Sequence, residues 1–195
     1  MKLENEITVQ VVSSYEELNR QLIDNGFTIN EEYQVNDEYM IKSDIDINTM
    51  PKLEVLKNCI LVRDITGTKK ALVYKYKKFA DNGDIIEQGN VECPVTDIHK
   101  AISFMEAINY RKLFSIHDRC IVYGDKKVEL IVQLVNDRYT FIEMEDKGKH
   151  LGGKFKSVDE MKEFLDSYNL SYDKTNYFVK KAEIMLNEIL SGVKD

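Results

Sequence analysis

The sequence predicts an α+β protein in which helices flank an antiparallel β-sheet. Three observations carry this prediction. Alternating, β-branched stretches recur along the chain and are typical of strands. Short turns that contain Gly or Asn-Asp separate several of these stretches, as in hairpins. Helical patterns interrupt the strands twice and then close the chain, and this order favours the α+β class.

The first quarter of the chain is predicted to form a strand, a helix and a second strand. Residues 6–12 alternate and are rich in β-branched side chains. Ser14 and Glu17 have the spacing of a capping box, which marks the start of a helix. Gly26 is suited to end that helix. Residues 27–42 alternate more weakly and predict another strand.

The central part is predicted to form hairpins followed by a helix. The strands 59–65 and 70–79 flank a Thr-Gly-Thr turn, and a third strand covers 85–95. Apolar residues then recur at helical spacing over 97–109, with Thr96 as the expected N-cap.

The last part is predicted to add three strands and two helices. The strands cover 111–123, 127–135 and 138–146, and Gly-Asp and Asn-Asp turns join them. Helices are expected over 157–168 and 175–190. The strand–helix–strands order therefore occurs twice before the terminal helices.

Composition narrows the class of protein. The 195 residues favour one domain, 1–195, and a hydrophobic content of 43% provides for a core. With 27 Lys+Arg against 34 Asp+Glu, the net charge of −7 argues against duplex nucleic acid as the main partner. Three dispersed cysteines, no signal-peptide pattern and no apolar run near the ~20 residues of a membrane span predict a cytoplasmic protein without a membrane partner.

Alternation within the predicted strands places charged side chains on shared faces, since residues i and i+2 point to the same side. A solvated sheet face would account for this pattern without any function. If the sheet instead curls into a barrel or tunnel, its cations would meet polyphosphate oxygens, and a glutamate pair would hold Mg²⁺ or Mn²⁺. The sets that share a face are Glu6 with Thr8 and Gln10, Leu61 with Arg63, Val73 with Lys75 and Lys77, Gln88 with Asn90 and Glu92, His117 with Arg119, and Glu143 with Glu145.

The order of these features resembles the CYTH superfamily, which includes class IV adenylyl cyclases and thiamine triphosphatases and is also called the triphosphate tunnel metalloenzymes. The resemblance covers nearly the whole chain. Its motifs are the helix start Tyr15–Leu18 with Gly26-Phe27, the hairpin Ile60–Arg63 and Leu72–Lys75, and the Glu-x-Glu strand Phe141–Glu145.

The resemblance implies a closed eight-stranded antiparallel β-barrel or tunnel with flanking helices, which binds a triphosphate and a divalent metal. In such a site a metal bridges phosphate oxygens while cations offset developing charge. Glu92 is the candidate base. The other assigned residues are Arg63, Lys75, Lys77 and Arg119 for phosphate, and Glu6, Glu143 and Glu145 for Mg²⁺ or Mn²⁺.

Two departures from the family pattern leave two functions open. The signature Glu-x-Glu-x-Lys reads Glu6-x-Thr8-x-Gln10, and Gln133 stands where a metal-binding Asp is usual. The first function is metal-dependent hydrolysis of a triphosphate, with adenylyl cyclase activity as a variant. The alternative is a non-catalytic module that binds a triphosphate, nucleotide or polyphosphate. The sequence does not set the oligomeric state, and a homodimer is one candidate.

Overall fold

A computed structural model of the protein describes residues 6–79, 85–145 and 155–192. For 77–79 and 85–88 it describes the backbone only. No helix within these ranges has the length and apolar character needed to cross a bilayer.

Strands and helices follow one another much as the sequence predicts. In chain order, the described elements are β1 (Glu6–Gln10), α1 (Tyr15–Asp24), β2 (Thr28–Lys42), α2 (Lys52–Lys57), β3 (Ile60–Ile65), β4 (Lys69–Phe79), β5 (Ile85–Pro94), α3 (Ile98–Ala107), β6 (Tyr110–Gly124), β7 (Glu129–Val135), β8 (Tyr139–Glu145), α4 (Val158–Ser167) and α5 (Lys181–Leu190).

The eight strands form one sheet in the order β1-β8-β7-β6-β2-β3-β4-β5. The strand pairs with a described register are antiparallel. The predicted α+β class with an eight-stranded antiparallel sheet is therefore confirmed. Among the described residues, no hydrogen-bond ladder joins the two ends of this order. Closure into a barrel or tunnel stays a prediction of the resemblance.

The chain divides into two compact units that each combine distant stretches of sequence. The first unit contains Gln34–His117 and the stretch from Lys180 onward. The second unit contains the stretch up to Tyr33 and Asp118–Val179. This division into units does not test the prediction that residues 1–195 form a single domain.

In the second unit, one face of the strands packs against α1 and α4. Ser14 caps α1 as predicted, because its Oγ accepts a hydrogen bond from the Glu17 N–H at 3.3 Å. Gly26 follows the helix with φ +87°, a conformation that favours glycine. The buried residues of this core include Ile7, Val9, Leu18, Leu22, Ile121, Tyr123, Leu130, Val132, Ile142, Met144, Met161 and Leu165.

In the first unit, α3 packs on one face of β3 and β4. Met40 and Val62 from the strands meet Ala101 and Met105 from the helix. The N-cap is Asp97 and not the predicted Thr96, since Asp97 Oδ1 accepts from the Lys100 N–H at 3.1 Å. A cap oxygen has to reach the backbone two or three residues onward, and the aspartate one position later does so.

The C-terminal prediction was wrong at its start. Tyr177–Val179 is not helical but pairs with the outer edge of β1. The Thr8 N–H donates to the Tyr177 carbonyl at 2.9 Å, and the Val179 N–H donates to the Thr8 carbonyl at 3.0 Å. An edge strand offers backbone groups that need partners, so this segment forms the pairing and α5 begins only at Lys181.

Candidate functional site

The strand face of the second unit that points away from α1 and α4 carries carboxylates. In the β1–β8 register, Glu6 lies opposite Glu145 and Thr8 lies opposite Glu143. Directly opposite residues of antiparallel strands share a face. The three residues predicted as metal ligands, Glu6, Glu143 and Glu145, are thus brought onto one face. We call Glu6, Thr8, Gln133, Glu143 and Glu145 the carboxylate face.

Two neutral residues of the carboxylate face donate hydrogen bonds to its acids. Gln133 Nε2 donates to Glu143 Oε2 at 3.0 Å, and Thr8 Oγ1 donates to Glu6 Oε1 at 3.4 Å. Gln133 is 5% exposed and Thr8 is 6% exposed. These are two of the positions at which the sequence departs from the family pattern. Here an amide and a hydroxyl accompany the acids where the pattern would place further carboxylates.

The donor set of the carboxylate face fits a metal that arrives with its substrate. Across residues 6–79, 85–145 and 155–192, no three His, Cys, Asp or Glu side chains come together as a metal-binding group. Mg²⁺, however, is usually bound through one or two carboxylates plus substrate phosphates, and it keeps several waters. Glu143 and Glu145, two residues apart on one strand face, supply such a pair.

Tyr33 adjoins the carboxylate face, and sequence reasoning missed it. Burial raises the pKa of the Tyr33 phenol above its ordinary range, and Cys120, Glu143 and Glu145 raise it further. The hydroxyl therefore stays protonated at neutral pH and can donate a hydrogen bond. No motif in the sequence marks this tyrosine. Only the placement of β2 beside β6 brings it near Cys120.

Arg119 lies on the other face of these strands. Cys120 is opposite Gln133 in the β6–β7 register, so Cys120 shares a face with Gln133 and the adjacent Arg119 does not. Arg119 is half exposed, and its Nη2 donates to Glu32 Oε2 at 2.9 Å. The structure thus separates this predicted phosphate contact from Glu143 and Glu145.

In the first unit, Arg63 forms a bidentate ion pair with Asp37. The two residues lie opposite each other on β3 and β2. Arg63 Nε donates to Asp37 Oδ1 at 2.7 Å, and Nη2 donates to Oδ2 at 2.5 Å. Asp37 is only 5% exposed. Burial works to raise the pKa of Asp37, but hydrogen bonds and charge from Arg63, with the charges of Lys75 and Lys181, outweigh it and lower that pKa.

Lys75 shares the face of Arg63. The β3–β4 register places Arg63 opposite Ala71. Lys75 lies four residues after Ala71 on β4 and therefore points to the same side. Lys75 lies opposite Asn90 on β5. Lys77 lies opposite Gln88 along the backbone, and its side chain lies outside the described part of the chain.

Glu92, the candidate base, also lies on this face and forms an ion pair with Lys69. It lies opposite Val73, which is two residues before Lys75 on β4 and points to the same side. We call Arg63, Lys69 and Lys75 the cation face. Sequence reasoning missed Lys69. Alternation along β4 puts Lys69 on the same face as Lys75, because the two residues are an even number of positions apart.

A cavity of about 470 Å³ in the first unit lies on the opposite side of the strands, towards α3. Its lining includes none of the predicted site residues. The polar side chains among its walls are those of Asn36, Glu38, Asp64, Lys70, Thr96, Asp97 and His99.

No family model matches the sequence, and no curated protein matches it. Solved structures do match. The PH1819 protein from Pyrococcus horikoshii OT3 is similar with a TM-score of 0.62 and 16% identity, over 94% of this chain and 99% of that one. A candidate adenylate cyclase from Vibrio parahaemolyticus matches with a TM-score of 0.58 and 10% identity, over 95% of this chain and 98% of that one.

A candidate adenylate cyclase from Bacillus halodurans also matches, with a TM-score of 0.54 and 13% identity, over 94% of this chain and 98% of that one. The chain has a CYTH-like fold. Because these identities are low, the likeness concerns the fold alone. The activity of a CYTH-like protein has to be argued from its own residues.

Proposed function

We propose that the protein binds a triphosphate and hydrolyses it with the help of Mg²⁺ or Mn²⁺. The observation that carries this proposal is the register that puts Glu6, Glu143 and Glu145 on one face of neighbouring strands. The CYTH-like fold, shared with candidate adenylate cyclases, supports a triphosphate as the class of ligand. Adenylyl cyclase activity is the variant that we rank second.

In this proposal, Glu143 and Glu145 hold the metal, and Glu6, which lies opposite Glu145, adds negative charge to the same face. A bound Mg²⁺ or Mn²⁺ supplies positive charge to phosphate oxygens. Arg63 and Lys75 bind phosphate oxygens. Arg63 does so with the guanidinium N–H groups that Asp37 does not accept from, and Lys75 acts as a compact charge. Arg119 is left out, because it lies on the other strand face of its unit.

Hydrolysis breaks the bond between the terminal phosphorus and its bridging oxygen and forms one to a water oxygen. The water has to lose a proton, and a carboxylate is a suitable acceptor. Glu92 is the proposed base. It has to release Lys69 before it can act, since the two form an ion pair.

The test measures phosphate and pyrophosphate release from tripolyphosphate, thiamine triphosphate and ATP with Mg²⁺ or Mn²⁺. The control is the double variant Glu143→Gln/Glu145→Gln, which keeps the shape of the side chains and removes their charge. Metal-dependent release that the control lacks supports the proposal. Release of pyrophosphate together with cyclic AMP from ATP assigns the cyclase variant. Equal release by protein and control contradicts both.

A second candidate function is triphosphate binding without turnover. The observation that favours it is the pairing of Glu143 with the Gln133 amide, where the family pattern would place an aspartate. This function predicts saturable binding of tripolyphosphate in calorimetry and no product, even at high protein concentration with Mn²⁺. Lack of binding in that experiment would count against both functions.

Location and assembly are also proposals. No disulfide joins Cys59, Cys93 and Cys120, which fits a reducing cytoplasm. Cell fractionation tests the cytoplasmic location. Light scattering on the purified protein distinguishes a monomer from the homodimer.

A further inference from the structure

Asp37 is a buried carboxylate whose position is fixed by the sheet. It lies within the β2–β3 pairing, opposite Arg63, with further residue pairs on both sides of it. Only 5% of the residue is exposed, so its side chain has little room to change rotamer. The proposed function gives this carboxylate no role of its own, although it contacts a residue that the proposal assigns to phosphate.

The contact between Asp37 and Arg63 sets the direction of the guanidinium. Nε donates to Oδ1 at 2.7 Å and Nη2 donates to Oδ2 at 2.5 Å, which is the two-bond geometry of an arginine with a carboxylate. The five N–H groups of an arginine lie in one plane. Because Asp37 accepts from two of them, it sets the plane and the direction of the others. An arginine without such an anchor has many rotamers and loses that freedom when it binds an anion.

We propose that Asp37 is a positioning residue, which orients Arg63 so that the N–H groups not used by Asp37 meet a phosphate oxygen. The inference rests on the proposed function and adds to it a residue of the opposite charge. On charge alone, Asp37 should oppose the binding of a triphosphate, since like charges repel. An orienting role and a purely electrostatic one therefore predict effects of opposite sign on phosphate affinity.

The first test is the affinity of Asp37→Asn for tripolyphosphate, measured by calorimetry under conditions in which circular dichroism shows the variant to be folded. Asparagine has the same shape, but its amide offers one acceptor oxygen in place of two. We expect binding about tenfold weaker, because Arg63 is no longer held in one orientation. If Asp37 acted only through its charge, binding would become tighter instead.

Asp64→Asn is the matched control. Asp64 follows Arg63 on β3 and points to the opposite side of the sheet. The substitution removes the same charge at a similar distance along the chain, but from a residue that does not orient Arg63. Its affinity for tripolyphosphate should stay within about twofold of the unchanged protein.

A double-mutant cycle with Arg63→Gln shows whether the effect of Asp37 passes through Arg63. Once Arg63 is replaced, Asp37 has no guanidinium to orient, so adding Asp37→Asn should change the affinity by less than about twofold. The same loss in both backgrounds would overturn the proposal, as would equal or tighter binding by Asp37→Asn alone.

A measurement on the unchanged protein does not depend on the folding of a variant. The chain has five arginines, so few Nε–H signals appear in the NMR spectrum of isotope-labelled protein. The proposal expects the hydrogen bond from Arg63 Nε to Asp37 to persist in the complex. The Arg63 Nε–H should therefore stay protected from solvent exchange at saturating tripolyphosphate. Loss of this protection would mean that phosphate displaces Asp37, and it would overturn the proposal.

Failure of the inference is distinguishable from failure of the proposed function. If the unchanged protein does not bind tripolyphosphate, the proposed function fails and the inference falls with it. If it binds, and Arg63→Gln weakens binding while Asp37→Asn does not, the function stands and only the role of Asp37 is rejected.

Discussion

The acidic side chains of the two units have different kinds of hydrogen-bond donor beside them. In the first unit, the buried carboxylate of Asp37 forms an ion pair with the guanidinium of Arg63, so that a full negative charge is next to a full positive one. In the second unit, Glu143 accepts from the Gln133 amide and Glu6 accepts from the Thr8 hydroxyl. A neutral donor satisfies a lone pair but does not cancel a charge. The contacts described for Asp37 thus include a full opposite charge, whereas these two donors on the carboxylate face are neutral.

The largest expected effect comes from breaking the ion pair of the first unit. Arg63→Ala leaves the carboxylate of Asp37 buried without its guanidinium, which should lower the free energy of unfolding by about 3 kcal/mol. Urea unfolding followed by circular dichroism measures this loss. A loss below about 1 kcal/mol would mean that water reaches Asp37 easily.

Acid should weaken the same pair. The folded-state pKa of Asp37 lies below its ordinary value, so the pair stabilises the protein fully above the ordinary pKa of about 3.9. This stabilisation is lost as the pH falls below that value towards the folded-state pKa. Urea midpoints between about pH 2 and 5 should fall more steeply for the unchanged protein than for Asp37→Asn. Parallel curves would show that Asp37 does not contribute.

The contrast between the units can also be sharpened by adding a charge to the carboxylate face. Gln133→Asp replaces the amide beside Glu143 by a carboxylate. Because like charges gain from a shared cation, we expect Mn²⁺ affinity in the presence of tripolyphosphate to rise about tenfold. Gln133→Asn keeps the shorter side chain without the charge and is the matched control. If both variants bind Mn²⁺ equally, the face does not bind metal through this position.

The smallest effect is expected at the ion pair on the helix side of the second unit. Arg119 and Glu32 have side chains that are 50% and 45% exposed, and solvent screens their interaction. Arg119→Gln should change the free energy of unfolding by less than about 0.5 kcal/mol. Triphosphate affinity should also stay the same. A large loss of affinity would return Arg119 to the set of phosphate contacts.

The sequence predicted correctly those features that depend on neighbouring residues, such as a helix cap or the alternation of side chains along one strand. The cap at Ser14 follows from side-chain chemistry three residues apart. The shared face of Glu143 and Glu145, two residues apart on one strand, follows from a period of two. That Arg63 and Lys75 share a face depends on the register between β3 and β4, which alternation alone does not give. Alternation does not tell which of the two faces points towards the helices. The pairing of Cys120 with Gln133 places Arg119 on the face opposite that of Glu143 and Glu145, and our proposal therefore leaves it out.

Features that depend on distant parts of the chain were out of reach of the sequence. Residues 175–180 have a composition that permits a helix, but the edge of β1 provides backbone partners for Tyr177–Val179. Tyr33 likewise needs the strand order, because its neighbours Glu143 and Glu145 are more than a hundred residues away.

The pairing on both sides of β1 has a consequence for the time course of folding. This strand is synthesised before both of its partners, β8 and Tyr177–Val179, which lie more than a hundred residues further along the chain. Contacts of such sequence separation are slow to form. During synthesis, β1 has to wait with both edges unpaired, and an unpaired strand is prone to aggregate. A chain cut short before Tyr177 would therefore be retained by chaperones or lost to inclusion bodies.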